Sequence, residues 1–223
     1  MSNICLQTKE LFDLSHTAAR ELLEKTQYPW QALPQIGSFI LELGARLSPG
    51  DYERAGEQVW IHKTAKIYPN NYIAGPCVIG PEAEVRPGAF IRGSALVGAG
   101  CVVGNSTELK NVILFDGVQV PHYNYVGDSI LGYKSHMGAG AVTSNVKQDK
   151  TLVTIAAGDE RVETGLKKFG AMLGDQVEVG CGAVLNPGTV IGRGSRVYPL
   201  SMVRGAVPEG SIYKRAGEVA AIQ

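Results

Sequence analysis

IHKTAK-IYPNNY-IAGPCV-IGPEAE-VRPGAF-IRGSAL-VGAGCV-VGNSTE, residues 61–108, returns an aliphatic side chain at every sixth position. The markers are Ile61, Ile67, Ile73, Ile79, Val85, Ile91, Val97 and Val103. A helix repeats about every 3.6 residues and a half-buried strand every second one, so neither selects one position in six. A fixed short period marks a solenoid: six residues make a short strand and a turn, and three such units close one triangular coil. The recurring Ile, Val or Leu points inward and stacks on its equivalents about 4.8 Å above and below. A β-sandwich with glycine turns would instead show alternating strands of five or six residues. After an irregular passage the beat returns in LGDQVE-VGCGAV-LNPGTV-IGRGSR-VYPLSM, residues 173–202, with Leu173, Val179, Leu185, Ile191 and Val197 in phase. The expected fold is an all-β solenoid, a parallel β-helix carrying a short N-terminal helical segment.

This reading explains the composition. Glycine supplies 28 of the 223 residues, an excess that corners such as Gly80, Gly98, Gly174 and Gly192 account for. Ala83, Ala89 and Ala99 suit the same tight turns. Lys plus Arg equals Asp plus Glu at 21 each, so no global field recruits nucleic acid or an anionic membrane. Cys5, Cys77, Cys101 and Cys181 form no CxxC pair. The last three lie in aliphatic runs and read as small buried thiols rather than a disulfide framework or a zinc site. No run approaches about 18 apolar residues, and MSNICLQTKELFDL lacks a basic region followed by an apolar core, so a cytoplasmic location is the expectation.

Residues before the repeat follow another rule. Leu11, Leu14, Ala18 and Leu22 fall at helical spacing, and Pro29 ends that run. Ile36, Phe39, Ile40 and Leu43 predict a second helix over 34–47, stopped by SPGD. Residues 1–58 are thus expected as a helical extension that caps the first coil or packs beside it. The solenoid runs over 59–215 and a tail over 216–223. Within it, 143–168 leaves the six-residue beat as a loop excursion with a hairpin around Leu152–Val162, expected to cross toward a neighbouring subunit.

The beat also slips to five between Leu109 and Leu114 and between Val126 and Leu131, and the polar cluster PHYNYVGD, residues 121–128, lies between those slips. His122 follows Pro121 and the inward Val120, which puts it at a coil surface or corner. It is either an exposed histidine satisfied by a neighbour or a general base, since imidazole titrates near neutral pH. Asp128 or a backbone carbonyl would orient its other nitrogen. Tyr125 is a packed rim aromatic or offers a hydroxyl to a sugar or phosphate oxygen. His136 and Asn145 add neutral donors and acceptors, and Arg86, Lys110 and Lys168 are cations available to a phosphate. A metal hydrolyase on the same scaffold needs three convergent histidines, and the spacing of His16, His62, His122 and His136 does not supply them. No catalytic metal is expected.

RPGAFIRG, GNSTELKN, PHYNYVGD and GAGAVTSN together resemble the acetyltransferase domain of bifunctional N-acetylglucosamine-1-phosphate uridyltransferase/glucosamine-1-phosphate N-acetyltransferase enzymes and their short stand-alone relatives. The resemblance implies a left-handed β-helix, a homotrimer, and sites for acetyl-CoA and an amino sugar phosphate between subunits. By the same likeness His122 falls on the catalytic base and Tyr125 on the sugar-phosphate tyrosine. Arg86 and Lys110 resemble the phosphate-holding arginine and lysine, Lys168 the lysine before the returning coil, and Asn145 the acetyl-transfer asparagine. His136 departs from the family, standing where the sugar site has asparagine. Arg193 and Arg204, within a basic C-terminal set, are the residues expected to meet the phosphates of coenzyme A. About 60 residues precede the solenoid, too few for a nucleotide-binding βαβ domain, so they are not expected to supply uridyl transfer. A non-catalytic sugar-phosphate-binding or assembly module is the alternative.

Overall fold

Inward aliphatic side chains at the expected spacing build three flat faces in the structure, a computed structural model that describes residues 5–215 and 218–221. The first face stacks Val59–His62, Cys77–Ile79, Ala95–Val97, the ends of Glu108–Leu114 and Tyr125–Leu131, then Ala171–Leu173, Thr189–Ile191 and Ala206–Val207. The second runs from Lys66–Ile67 through Gln119–His122 and His136–Met137 to Ser211–Arg215. The third stacks Tyr72–Ile73, Phe90–Ile91, the starts of Glu108–Leu114 and Tyr125–Leu131, then Val142–Thr143, Val184–Leu185 and Met202–Val203. Each pairing from coil to coil is parallel and in register. Ile79, Val97, Leu114, Leu131, Leu173 and Ile191 form one fully buried ladder along the axis.

Coil-to-coil contacts join residues 18 apart in the regular part and 17 apart where the beat slips. Across the excursion the separation rises to 42. The excursion contains the expected hairpin, Thr154–Ala157 antiparallel to Glu160–Glu163. It folds back on its own chain: Val153 and Ile155 are fully buried, and the first hairpin strand lies over the corner at Gly205. Gly205 has φ +80°, and a Cβ there would stand 2.5 Å from the carbonyl oxygen of Ala156. Only glycine fits that seat.

The N-terminal segment lies along the outside of the first face. Val78, Leu96, Ile113, Ile130 and Met172 point outward from the solenoid yet are buried beneath it. The first expected helix is broken into short turns, Thr8–Leu11, Leu14–His16 and Arg20–Leu23. Asp13 causes the break: its carboxylate accepts the Ser15 N–H (3.0 Å) while its own N–H donates to Asp175 on the solenoid (2.7 Å). The second helix is Ile36–Arg46, preceded by a 3₁₀ stretch, Pro29–Gln35. Two of the terminal strand edges are closed by other means. Tyr52–Gly56 pairs antiparallel with Val59–His62 at one end, and Glu218–Ala221 with Ser211–Arg215 at the other. Hairpins, rather than helices, therefore cover these two edges, which would otherwise offer unpaired strands to another chain. In the expected C-terminal tail, residues 216, 217, 222 and 223 lie outside the described residues.

Cys77 and Cys101 are buried as expected, and burial pushes both thiols up to about 12. Cys181 is exposed instead, because it occupies a corner between the inward Val179 and Ala183.

Trp30 joins the segment to the solenoid, stacked between Tyr28 (4.6 Å) and Phe169 (5.8 Å). Replacing Trp30 by Ala should cost about 3–5 kcal/mol, the usual range for a large buried aromatic. Urea denaturation followed by circular dichroism reads this as a lower midpoint.

Candidate functional site

The corner between the third and first faces carries a polar column. Arg92, Lys110, Gly127, Ser144, Asn186 and Arg204 occupy equivalent positions on successive coils, fixed by the register of the strands before them. Beside the column, the five-residue slips leave Asn111 (φ 54°) and Asp128 (φ 48°) to turn the chain in left-handed backbone, a conformation Asn and Asp tolerate better than bulkier residues.

Asp128 is buried, and its carboxylate gathers three donors. Lys110 Nζ lies 3.2 Å away, Asn111 Nδ2 2.9 Å and Asn145 Nδ2 2.5 Å. A buried carboxylate is tolerated when it is paired and hydrogen-bonded in this way. Because the carboxylate only accepts, Asn145 must turn its amide nitrogen inward, and that same nitrogen donates to Tyr125 Oη at 3.2 Å. The Tyr125 hydroxyl thus keeps its own proton to offer outward. Burial first, and then the nearby Asp128 carboxylate, hold the phenol above its ordinary pKa, so it remains a donor at neutral pH. Its ring lies across Gly127, where a Cβ would stand 2.5 Å from the hydroxyl. The result is a cation, a phenol and an amide held rigidly by one buried anion.

His122 belongs to the other end of the third face, at the corner where the second face ends. Its ring is exposed and has no hydrogen bond or ion pair among the described residues. The backbone beneath it is fixed. Asn124, 2% exposed, accepts the His122 N–H through Oδ1 (3.1 Å) and donates through Nδ2 to the carbonyls of Gly138 (2.8 Å) and Ala141 (3.0 Å). Tyr123 carries φ 52° between them and is exposed. Asp128 does not orient His122, contrary to the sequence expectation, because its carboxylate is committed to Lys110, Asn111 and Asn145 at the opposite corner.

The remaining expected residues separate into groups. Lys168 precedes Phe169, whose N–H donates to the Asn145 carbonyl (3.0 Å), so the excursion returns Lys168 beside the Asp128 cluster. Arg86 is not brought there: it lies on the second face and pairs with Glu84 (3.2 Å). Arg92 occupies the position one coil before Lys110, with Glu108 at 2.6 Å. Counting the repeat phase would have found it, since Arg92 follows the inward Ile91 as Lys110 follows Leu109. His136 is also on the second face, paired with Glu178 (2.9 Å). Arg193 and Arg204 do not share a corner. Arg193 is 3.6 Å from Asp175 and donates to the Lys9 carbonyl (3.5 Å), tying down the N-terminal segment, whereas Arg204 stands on the polar column. Asn124, which fixes the backbone under His122, is not singled out by the motif pattern. Its signal was a polar residue at the corner position that Ala89, Ala141 and Ala183 occupy in other coils.

Known proteins share this chain's pattern. The bifunctional sugar-1-phosphate nucleotidylyltransferase/acetyltransferase of Sulfurisphaera tokodaii is 32% identical over 157 residues, 70% of this chain and 39% of that protein. Bifunctional protein GlmU of Methanococcus maripaludis is 31% identical over 192 residues, 84% of this chain and 46% of that protein. The chain thus spans less than half the length of either relative. The acetyltransferase domain of PglB from Neisseria gonorrhoeae, solved with acetyl coenzyme A, is 19% identical; the match covers 74% of this chain and 58% of that one with a TM-score of 0.35. The profile of the GMPPB C-terminal domain matches residues 73–191, from the third-face strand of Ile73 to the first-face strand of Ile191. That stretch holds the polar column from Arg92 to Asn186 and the His122 corner, and it makes the chain a member of the GMPPB C-terminal domain family.

Proposed function

We propose that the chain is an acetyl-CoA-dependent N-acetyltransferase acting on an amino sugar phosphate such as glucosamine 1-phosphate. The observation that carries this reading is the Asp128-centred cluster, in which Lys110 and Tyr125 present a cation and a hydroxyl proton on one rigid corner. That pairing suits a phosphate monoester beside a sugar. Arg92 extends the positive charge by one coil, and Lys168 stands at the excursion's return. The acetyltransferase named in the relatives supports the reaction type. An amino sugar attacks the thioester carbonyl with its nitrogen lone pair, the nitrogen gives up a proton, and the thiolate leaves with the acetyl group transferred. An imidazole can accept that proton without a metal, and His122 is the exposed imidazole assigned to it. A cytoplasmic location belongs to the same proposal; among the described residues no helix is long and apolar enough to cross a membrane.

The proposal includes a homotrimer. His122 and the Asp128 cluster flank the third face from opposite corners, too far round the coil to act on one bond. That face exposes an in-register column that is apolar except at Glu108, with Tyr72 at 58%, Phe90 at 41%, Val184 at 37% and Met202 at 52% accessible. Three copies turning this face toward a common axis bury the column and bring the His122 corner of each copy against the Lys110 corner of the next. A concave pocket then forms between convex solenoids. A non-catalytic sugar-phosphate module is the second reading, favoured by the lack of any partner orienting the His122 ring among the described residues.

A free-thiol assay with acetyl-CoA and a panel of amino sugars and their 1-phosphates, with the acetylated product detected directly, separates the two readings; no product with any acceptor excludes the enzyme. His122→Ala should lower kcat about 10²- to 10⁴-fold, the usual worth of a positioned base. Tyr125→Phe should raise the KM for the sugar phosphate about two- to tenfold, the worth of one hydrogen bond. Full kcat in the histidine variant removes the assigned base. Light scattering should give a trimer at micromolar concentration and a smaller species for Phe90→Asp; a monomeric wild type overturns the assembly.

A further inference from the structure

The N-terminal segment reaches the buried Asp128 carboxylate by two separate routes, one to each oxygen. The first runs through Asn111. Its Nδ2 donates to Asp128 Oδ1 (2.9 Å) and also to the backbone carbonyl of Leu33 (3.2 Å), on the 3₁₀ stretch Pro29–Gln35. An amide nitrogen carries two N–H groups, so one side chain makes both bonds. The second route starts from Trp30, on the same stretch. Its ring stacks on Phe169 at 5.8 Å, and the Phe169 N–H donates to the Asn145 carbonyl (3.0 Å). Asn145 in turn donates its side-chain amide to Asp128 Oδ2, and the N–H of Gly170 donates to the Asp128 carbonyl (2.8 Å). Both routes are firmly seated. Trp30, Leu33 and Phe169 are buried, and a Cβ on Gly170 would stand 2.2 Å from the Gly127 carbonyl oxygen. Asn111, in its left-handed conformation, donates its own N–H to the Gly93 carbonyl one coil earlier (3.2 Å).

From this geometry we infer that Asn111 is a positioning residue for the acceptor, and that Pro29–Gln35 is a working part of the Asp128 cluster as well as a cover for the first face. The inference rests on the sugar-phosphate reading of that cluster and deepens it. Lys110 and Tyr125 present a cation and a hydroxyl proton to one phosphate only while the carboxylate between them keeps a single orientation. Lys110 lies within 3.4 Å of both carboxylate oxygens, so it does not fix the rotation of the group by itself. Asn111 and Asn145 do fix it, because each holds a different oxygen. A hydrogen bond to a buried ion is stronger than one between neutral groups, and its loss drives the ion toward another donor. Without the Asn111 amide the carboxylate turns toward Lys110, and the ammonium that would meet the phosphate is drawn inward. Binding groups need to be held to within about 0.5 Å, so a small rotation of Asp128 is enough to weaken the acceptor. Every step from Leu33 and Trp30 to Asp128 is a direct contact, which makes the docking of the segment and the shape of the site one network.

Calorimetric titration of the full-length protein with glucosamine 1-phosphate and, separately, with coenzyme A tests the inference. Asn111→Gly keeps the left-handed backbone and removes only the amide. It should weaken glucosamine 1-phosphate about tenfold, raise its KM by the same factor, and leave kcat and coenzyme A affinity within about twofold. Asn111→Asp sets a second carboxylate beside Asp128 and should weaken the sugar phosphate further. Trp30→Ala should weaken it too, and combined with Asn111→Gly should fall short of the product of the two single effects. Val78→Ala loosens the same segment elsewhere on the first face and should leave the sugar phosphate within about twofold. Deuterium exchange on the unliganded proteins reads the network without a ligand: Trp30→Ala and Asn111→Gly should each speed exchange of the Phe169 and Gly170 amides about tenfold, and Val78→Ala should not. Wild-type sugar-phosphate affinity in Asn111→Gly, or an equal loss in Val78→Ala, overturns the positioning role. Unchanged exchange in both Trp30→Ala and Asn111→Gly overturns the link to the segment and leaves the acetyltransferase reading standing if turnover persists. Faster exchange in those two variants, with a wild type that binds no glucosamine 1-phosphate, supports the link and removes the proposed substrate.

Discussion

Every position in this protein depends on a single constraint, the parallel register in which an inward aliphatic side chain of one coil sits on that of the next. Backbone hydrogen bonding fixes the rise per coil, and the buried ladder from Ile79 to Ile191 fixes the rotation. A slip of one residue would move a whole face of side chains from core to solvent. The consequence for function is that a residue's place is set by two indices, its coil and its phase within the coil. Arg92, Lys110, Gly127, Ser144, Asn186 and Arg204 share a phase, and so they form a line although they are spread over much of the chain.

The chemistry enters where the regular repeat gives way. Two coils lose a residue at the same corner, and Asn111 and Asp128 replace the usual small corner residues there. Their left-handed backbone turns two short polar side chains toward each other, and the buried Asp128 then recruits Lys110 and Asn145. Stability and site geometry are coupled at this point: the carboxylate that organises Lys110, Tyr125 and Asn145 would be a costly buried charge without them. At the opposite corner Asn124 plays the equivalent part for His122 by bonding three backbone groups. Both anchors are buried and polar, and neither need touch a ligand to matter for binding.

The helical segment and the excursion cover different stretches of the solenoid surface. The helices bury Val78, Leu96, Ile113, Ile130 and Met172 on the outside of the first face, which leaves that face closed to partners. The hairpin continues the cover further along, over the Gly205 corner. Among the described residues the third face keeps an exposed column that is apolar except at Glu108, and it is flanked by the two halves of the proposed site.

The sequence by itself determined the solenoid. A period of six with one aliphatic marker leaves no competing way to bury those side chains, and the two five-residue slips located PHYNYVGD at a corner. The hairpin within 143–168 and the second helix were legible for the same reason, since both follow from local pattern. The tertiary structure alone decided which polar residues meet. Arg86 and Arg92 are six apart and look interchangeable in the sequence, yet one phase step sends the first to Glu84 on the second face and the second to the Lys110 column. Arg193 and Arg204 part at different corners by the same logic. Asp128 is close to His122 in sequence, but a third of a coil, one whole face, separates their corners. Its partners Lys110 and Asn145 come from the coils on either side, 18 and 17 residues away, because in a parallel β-helix spatial neighbours are one full coil apart.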